Sequence, residues 1–468
     1  MLASAPFMKP VVLIDVVGLT SRHIGPATPN LAGLAARAPM TAVLPAVTCS
    51  AQATMLTGLL PAEHGAVGNG WFARDTAEIA LWRQSNALVR GEKLYEAVKR
   101  LDPSAKTAKI FWWWNLGARV DFSITPRPFY PADGRKIPAT YAWPTAYGEK
   151  LEAELGTFPF FDFWGPRSGL PSSRWIADAA IWTLKNERPA LTLVYLPHLD
   201  YDFQRFGPDD PRSQRAVREI DVVVGDLLHA ADEIGARTVI VSEYGITAVS
   251  KPVHVNRALR DAGLLAARKT PAGDVLDVFG SRAFAVADHQ VAHVYCRDGA
   301  SRDAAREMLT RLDGVERVLL GSELARAGLA HERSGDLVLV ARRDAWFTYY
   351  YWSDPADEPD FARTVDIHRK PGYDPCELFV DPALTFPKLR VARRLAQKKL
   401  GMRYLMDVIP LDAALVRGSH GRLPDDVQDG PVFLASEPFA RCGGEPRDGV
   451  VEMTSVSSRV LALMHPMA

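Results

Sequence analysis

The chain has 468 residues, 47% of them hydrophobic and 24% charged, and its 55 basic and 55 acidic side chains leave no formal net charge. Such a balance provides no global field to recruit nucleic acid or an anionic membrane, while the length allows a large core with a substantial insertion. The four cysteines, Cys49, Cys296, Cys376 and Cys442, form no CxxC pair and fit a reduced, cytoplasmic protein better than a disulfide scaffold.

The N-terminal stretch "MLASAPFMKPVVLIDVVGL" is apolar, but Asp15 interrupts it and no cleavage motif follows. No run approaches the ~18 uninterrupted apolar residues of a spanning helix. Four short runs do stand out: "PVVLIDVVG" (10–18), "TAKIFWWWN" (107–115), "ALTLVYLPHLD" (190–200) and "ARTVIVSEYG" (236–245). Continuous rather than alternating apolar character predicts strands buried on both faces, hence a parallel sheet. Helical patterns lie between them at 28–38, "TPNLAGLAARA", and 212–235. The alternation predicts an α/β fold, a doubly wound, mostly parallel central sheet flanked by helices. Asp15, Asp200 and Glu243 close three of the strands. Ligands of open α/β sheets sit at the carboxyl ends of strands, so these carboxylates converge there.

In "PAVTCSAQATMLTGLLPAEHGAVGN" (45–69) the run "TAVLP" leads into Thr48, Cys49 and Ser50, followed by small residues. The pattern predicts a strand running into a helix start, where free N–H groups and the dipole favour an anion. Three candidate nucleophiles at such a point fit acyl or phosphoryl chemistry, and a plain cap with a buried Cys fits equally well. The texture changes at 265–345, read as an inserted α+β cap between a core at 8–264 and a return to the core at 346–468. The tail carries the loops "TVDIHRKPGYDPCELF" (364–379) and "LVRGSHGRLPDD" (415–426), and "KLRVARRLAQKKLG" (388–401) reads as a basic helix with a solvated face. The run Trp112–Trp113–Trp114 reads as core, or alternatively as a stacking surface for a planar leaving group.

Together these strand ends resemble the alkaline phosphatase superfamily, and within it the nucleotide pyrophosphatase/phosphodiesterase branch. Asp15 followed by Thr28-Pro29-Asn30-Leu31 matches an early metal-binding Asp with its "TPNL" helix. In "PAVT…TGLLPAEHGAVGN" Thr48 matches the family nucleophile and Asn69 the residue that contacts a phosphate oxygen. "LDYDFQRFGP" keeps the carboxylate as Asp200 but has Gln204 where a ligand His belongs. "SEYGI" has Glu243 for an Asp and Tyr244 for a second His, while His420 in "GSHG" is intact. Three histidines are candidate replacements: His198, two residues before Asp200; His254, after the Glu243 loop; and His368, with Asp366 beside it to orient the ring. His64, His289, His293 and His331 read as structural.

The resemblance implies a metal-dependent hydrolase of phosphodiester or pyrophosphate bonds with two divalent ions ~3.5–4 Å apart. Zn²⁺ suits the set best, with Mn²⁺ or Fe as other occupants. One ion would be held by Asp15, Thr48 and Glu243, the other by Asp200 and His420, and Thr48 would form a covalent phospho- or nucleotidyl-enzyme. The partner would be a small phosphate ester, a nucleotide among the candidates, with no nucleic acid and no membrane. A phosphomonoesterase, a phosphonate hydrolase and a non-catalytic metabolite-binding descendant remain as alternatives.

Overall fold

A computed structural model describes residues 8–132 and 136–465; the first seven residues of the N-terminal stretch lie outside them. Its central sheet has eight strands: β1 (Val11–Val16), β2 (Ala36–Pro39), β3 (Thr107–Ile110), β4 (Phe122–Pro126), β5 (Thr140–Trp143), β6 (Leu191–Leu196), β7 (Arg237–Val241) and β8 (Val432–Ala435). They lie in the order β2-β8-β7-β1-β6-β3-β4-β5. The five central strands β7, β1, β6, β3 and β4 are parallel, and the flanking β8, β2 and β5 pair antiparallel. β1, β6 and β7 are buried along their whole lengths, as continuous apolar runs require of strands covered on both faces. In that register Asp15 lies beside Tyr195 and Val241.

Helices cover the sheet, among them α1 (Thr48–Thr57), α2 (Leu170–Asn186), α3 (His198–Phe206) and α4 (Pro211–Glu233). Within 265–345 a second, antiparallel sheet joins Ala283–Asp288, Val291–Cys296, Leu337–Ala341 and Val315–Leu319, with the helix Gly299–Thr310 against it. The hairpin between its first two strands, Asp288 to Gln290, reaches the carboxyl ends of the central strands, where Gln290 N–H donates to the His420 carbonyl.

Local chemistry moved four boundaries. The helix predicted over 28–38 is only Pro29–Ala32, because the Asp221 carboxylate takes the Leu31 N–H at 2.9 Å and the Asn30 side chain at 2.9 Å. The chain then turns at Gly33 into the edge strand β2. The run 107–115 leaves the sheet after Ile110, since Phe111 and Trp114 take φ of +60° and +57°, which a strand does not allow. "TAVLP" is no strand either. It approaches the helix as a loop, with Ala46 bridged to Gly421. The run 190–200 breaks at Pro197, so Asp200 lies in the first turn of α3 rather than on a strand.

Candidate active site

Thr48 is the first residue of α1, so its side chain stands where the free N–H groups of the helix begin. Its hydroxyl donates to Glu243 Oε2 at 2.7 Å and lies 3.4 Å from the Tyr244 hydroxyl. The neighbouring nucleophile candidates turn elsewhere. Cys49 is fully buried, and burial first, then the Asp288 and Glu243 charges, pushes its thiol well above the ordinary range. Ser50 donates its hydroxyl to the carbonyls of Pro45 and Val47.

One turn along the same face, Gln52 holds the carboxylates together. Its amide nitrogen donates to Asp15 Oδ2 at 3.2 Å and to Glu243 Oε1 at 2.7 Å, while Trp113 N–H fixes its oxygen at 2.6 Å. Asp15 and Glu243 are fully buried beside each other, and burial raises both. For Asp15 the Glu243 charge adds to burial.

Asp200 accepts from the Tyr244 hydroxyl at 3.2 Å and from the Gln204 amide at 2.7 Å, and Gln204 in turn accepts from the Tyr373 hydroxyl at 2.8 Å. Burial, and then the Glu243 charge, pushes Asp200 up to about 7. The His420 Nδ1 donates to the Ala46 carbonyl at 2.8 Å, so Nε2 carries the lone pair; it has no hydrogen-bond partner and lies 3.8 Å from Asp200 Oδ1. The Tyr244 ring lies flat on His420, centroids 3.5 Å apart.

On the other face of His420, His289 lies 3.7 Å away and stacks in turn on Tyr373 at 3.6 Å. His289 sits at φ +60° in the turn of the second sheet, and its Nδ1 pairs with Asp288 Oδ1 at 2.8 Å. Asp288 also takes both donors of Asn69, the backbone N–H at 2.8 Å and the side-chain amide at 3.1 Å. The Asn69 oxygen accepts the Cys49 N–H at 3.0 Å. Asp288, His289, Tyr373 and Gln52 were not read as site residues from sequence. The available signal was "DHQ" between two apolar runs, a polar break short enough to be a hairpin turn.

The structure thus brings together Asp15, Thr48, Asn69, Asp200, Glu243 and His420, and gives the three replacement histidines other partners. His198 bonds Glu219 on α4 at 3.1 Å. His254 bonds Thr348 at 2.7 Å and stacks on Tyr350, and His368 lies edge-on to Tyr130. Among the described residues, no group of three or more His, Cys, Asp or Glu side chains is placed to hold a metal ion. The Asp15 Oδ1 and His420 Nε2 atoms do lack partners, as ligand atoms would. Around them, however, the Gln52 amide bridges Asp15 and Glu243, and Tyr244 and Gln204 donate to Asp200 where imidazoles would otherwise coordinate. That leaves Asp15 Oδ1 and His420 Nε2 as the site's donor atoms without hydrogen-bond partners, one short of the three protein ligands of a catalytic zinc site. The donor set does not fit the two-ion centre expected from sequence. The aromatic run 112–114 resolves as core, its three indoles at most 6% exposed.

The family model of type I phosphodiesterase / nucleotide pyrophosphatase matches residues 11–374. An uncharacterized pyrophosphatase/phosphodiesterase of Schizosaccharomyces pombe is 26% identical over 231 residues, which cover 47% of this chain and 41% of that protein; the match thus spans about two fifths of that relative's length. Phosphonoacetate hydrolase from Sinorhizobium meliloti, solved with phosphonoformate, superposes with a TM-score of 0.61 at 15% identity, covering 98% of this chain and 96% of that one. Human ectonucleotide pyrophosphatase/phosphodiesterase 5 gives 0.57 at 14% identity over the same shares. An inactive variant of the murine protein in complex with AMP gives 0.56 at 13% identity, covering 98% of this chain and 97% of that chain. The family model spans well over half of the chain, and the chain belongs to the type I phosphodiesterase/nucleotide pyrophosphatase family.

Proposed function

We propose that the chain hydrolyses a small phosphoester, a phosphodiester or pyrophosphate before a monoester or phosphonate, with Thr48 as nucleophile and Glu243 as its base. The observation that carries this reading is the 2.7 Å hydrogen bond from the Thr48 hydroxyl to Glu243 Oε2 at a helix N-terminus. In the first step Thr48 Oγ1 bonds to phosphorus, its proton passes to Glu243, and the leaving oxygen departs with the bonding pair. Water then attacks the phosphothreonine and restores the hydroxyl. The preference for a diester rests on the family match and on the absence, among the described residues, of any Arg or Lys hydrogen-bonded to Thr48 to clamp a dianion.

The family is generally metal-dependent. A pair of Zn²⁺, Mn²⁺ or Fe ions would supply a Lewis acid and an activated hydroxide in such a site. Because the donors here do not fit that pair, no step is assigned to it.

A second reading, a non-catalytic binding descendant, is favoured by one observation. Asn69, the residue matched to a phosphate contact, spends its oxygen on Cys49 N–H and its amide on Asp288. Turnover of bis(p-nitrophenyl) phosphate against p-nitrophenyl phosphate, with acid-quenched mass spectrometry of the Thr48 peptide, separates the two. Diester turnover with a phosphorylated Thr48 supports the hydrolase. AMP binding with neither turnover nor phosphothreonine establishes the descendant.

A further inference from the structure

The helix α5 (Pro387–Lys399) has no buried residue, unlike the long helices α2 and α4 that cover the sheet. Between 382 and 406 the chain has seven Lys and Arg and no Asp or Glu, a local segregation that zero net charge conceals. One side of the helix is anchored. Arg394 pairs with Asp407 at 2.9 Å, Arg390 pairs with the same carboxylate, and Val391 and Met406 rest partly buried on the core. At about 100° per residue the opposite side presents Leu389, Ala392, Ala396 and Leu400. Leu389 is 67% and Leu400 75% exposed, with Phe386 and Met402 exposed at the two ends of the stripe.

Cations rim this stripe. Lys388 and Lys399 flank one edge and Arg393 the other; Arg403 lies beyond the C-terminal end, and Lys398, one turn after Arg394, falls on the anchored side. Among the described residues none of these five has an ion-pair partner. A groove of about 630 Å³ runs along the N-terminal half, where Leu384, Phe386 and Leu389 meet Arg390, Arg393 and Arg394. It sets guanidinium groups directly against an apolar wall.

We propose that α5 docks the protein on an anionic phospholipid bilayer, its stripe of Phe386, Leu389 and Leu400 in the acyl boundary and its rim cations at the headgroup phosphates. A flat helix with an apolar centre and a basic rim buries both parts of its surface only at such an interface. Nucleic acid would satisfy the rim and leave the leucines in water. Attachment is peripheral, since no helix among the described residues is long and apolar enough to cross a membrane.

The test is sedimentation of the full chain with vesicles of phosphatidylcholine alone or mixed with phosphatidylglycerol. Binding is expected to the mixed vesicles only, weakening as salt rises. Each Lys or Arg near such a surface strengthens partition about fivefold, so Lys388→Glu/Lys399→Glu should lose at least twentyfold. Leu389→Asp/Leu400→Asp should lose at least tenfold, with near-UV circular dichroism and diester turnover unchanged because the positions are exposed and outside the site. No binding to mixed vesicles overturns the proposal, as does full binding by the Leu389→Asp/Leu400→Asp variant. Tighter binding to duplex DNA, insensitive to those leucines, would assign the surface to nucleic acid. A dimer that Leu389→Asp/Leu400→Asp dissociates, without vesicle binding, would assign it to self-association.

Discussion

Lys370 offers the sharpest test of how the site is supported. Its side chain is 1% exposed, and its ammonium lies 2.7 Å from Asp374 Oδ2 and 2.8 Å from Glu377 Oε1, both themselves buried. Burial works against its charge, but the two carboxylates outweigh burial and hold it above the ordinary lysine value. Lys370→Met removes the only cation that, among the described residues, pairs with these two buried carboxylates, and breaking a buried pair in this way costs about 3–5 kcal/mol. Part of the charge stays compensated, because Glu377 keeps the Trp164 indole and the Asp366 N–H, and Asp374 keeps the Cys376 N–H. The expected loss in urea unfolding is therefore near the lower end, about 3 kcal/mol, and Glu377→Gln in the same chain should recover part of it. Between the paired groups lies Tyr373, which donates to Gln204 and stacks on His289. Diester kcat should then fall even where the chain stays folded. A midpoint within about 1 kcal/mol of the parent, with kcat intact, would refute the claim that this loop is held by its charges.

Thr48→Ala should reduce diester kcat at least a thousandfold with the far-UV spectrum unchanged, about 4 kcal/mol of barrier at ~1.4 kcal/mol per decade, and Glu243→Gln should cost 10²–10⁴, roughly the range for a lost general base; more than a tenth of parental kcat in either variant removes that residue from the mechanism. Elemental analysis of purified protein should find less than one equivalent of Zn, Mn or Fe, with turnover resistant to chelation; two tightly bound equivalents would mean that the carboxylates rearrange around ions and that the amide bridge of Gln52 is broken. Folding stability should fall as pH drops from 7 to 5. Burial lowers His23, His254 and His293 to about 4 and His64 to about 3, so each stays neutral when folded, and its contribution, full above about 6.5, is lost as pH falls through the window toward 4. His289 and His420 act in the same direction, while raised Asp15, Asp200 and Glu243 oppose them. The excess of histidines gives a net loss of about 1.4 kcal/mol per pH unit for each uncompensated group; a flat urea midpoint across this range would contradict it.

The sheet was legible because β1, β6 and β7 are buried on both faces and so read as unbroken apolar runs. Its edges were not. β2 alternates as a half-exposed strand does and was masked by a run of alanines that reads as helix. Thr48 at a helix start was legible from its own segment although the strand expected before it is a loop, and the meeting of Asp15 with Glu243 followed from two strand ends. What stayed hidden depends on contacts distant in sequence. Nothing near Asn69 announces Asp288, 219 residues away, and nothing near His420 announces the ring of His289. The reverse error has the same origin. His198 precedes Asp200 by two residues, but Pro197 starts a helix there, and the helix turns the imidazole toward Glu219.

Two departures from the pattern the resemblance implies, Gln204 and Tyr244, taken singly, look like losses of ligands; taken together with Gln52 they form one connected structure. Tyr373 donates to Gln204, Gln204 to Asp200, Tyr244 to Asp200, Thr48 to Glu243, and Gln52 to both Glu243 and Asp15. Each buried carboxylate thereby receives neutral donors in place of an ion's charge, which is the condition for leaving it underground without a cation. A histidine restored at 204 alone would still face Tyr244 stacked on His420 and a Gln52 amide between Asp15 and Glu243. The substitutions therefore support one another, and Gln52, which no ligand pattern marks, belongs with Gln204 and Tyr244. The same network leaves the Thr48 hydroxyl aimed at a carboxylate from a helix N-terminus, the geometry on which the proposed nucleophile rests.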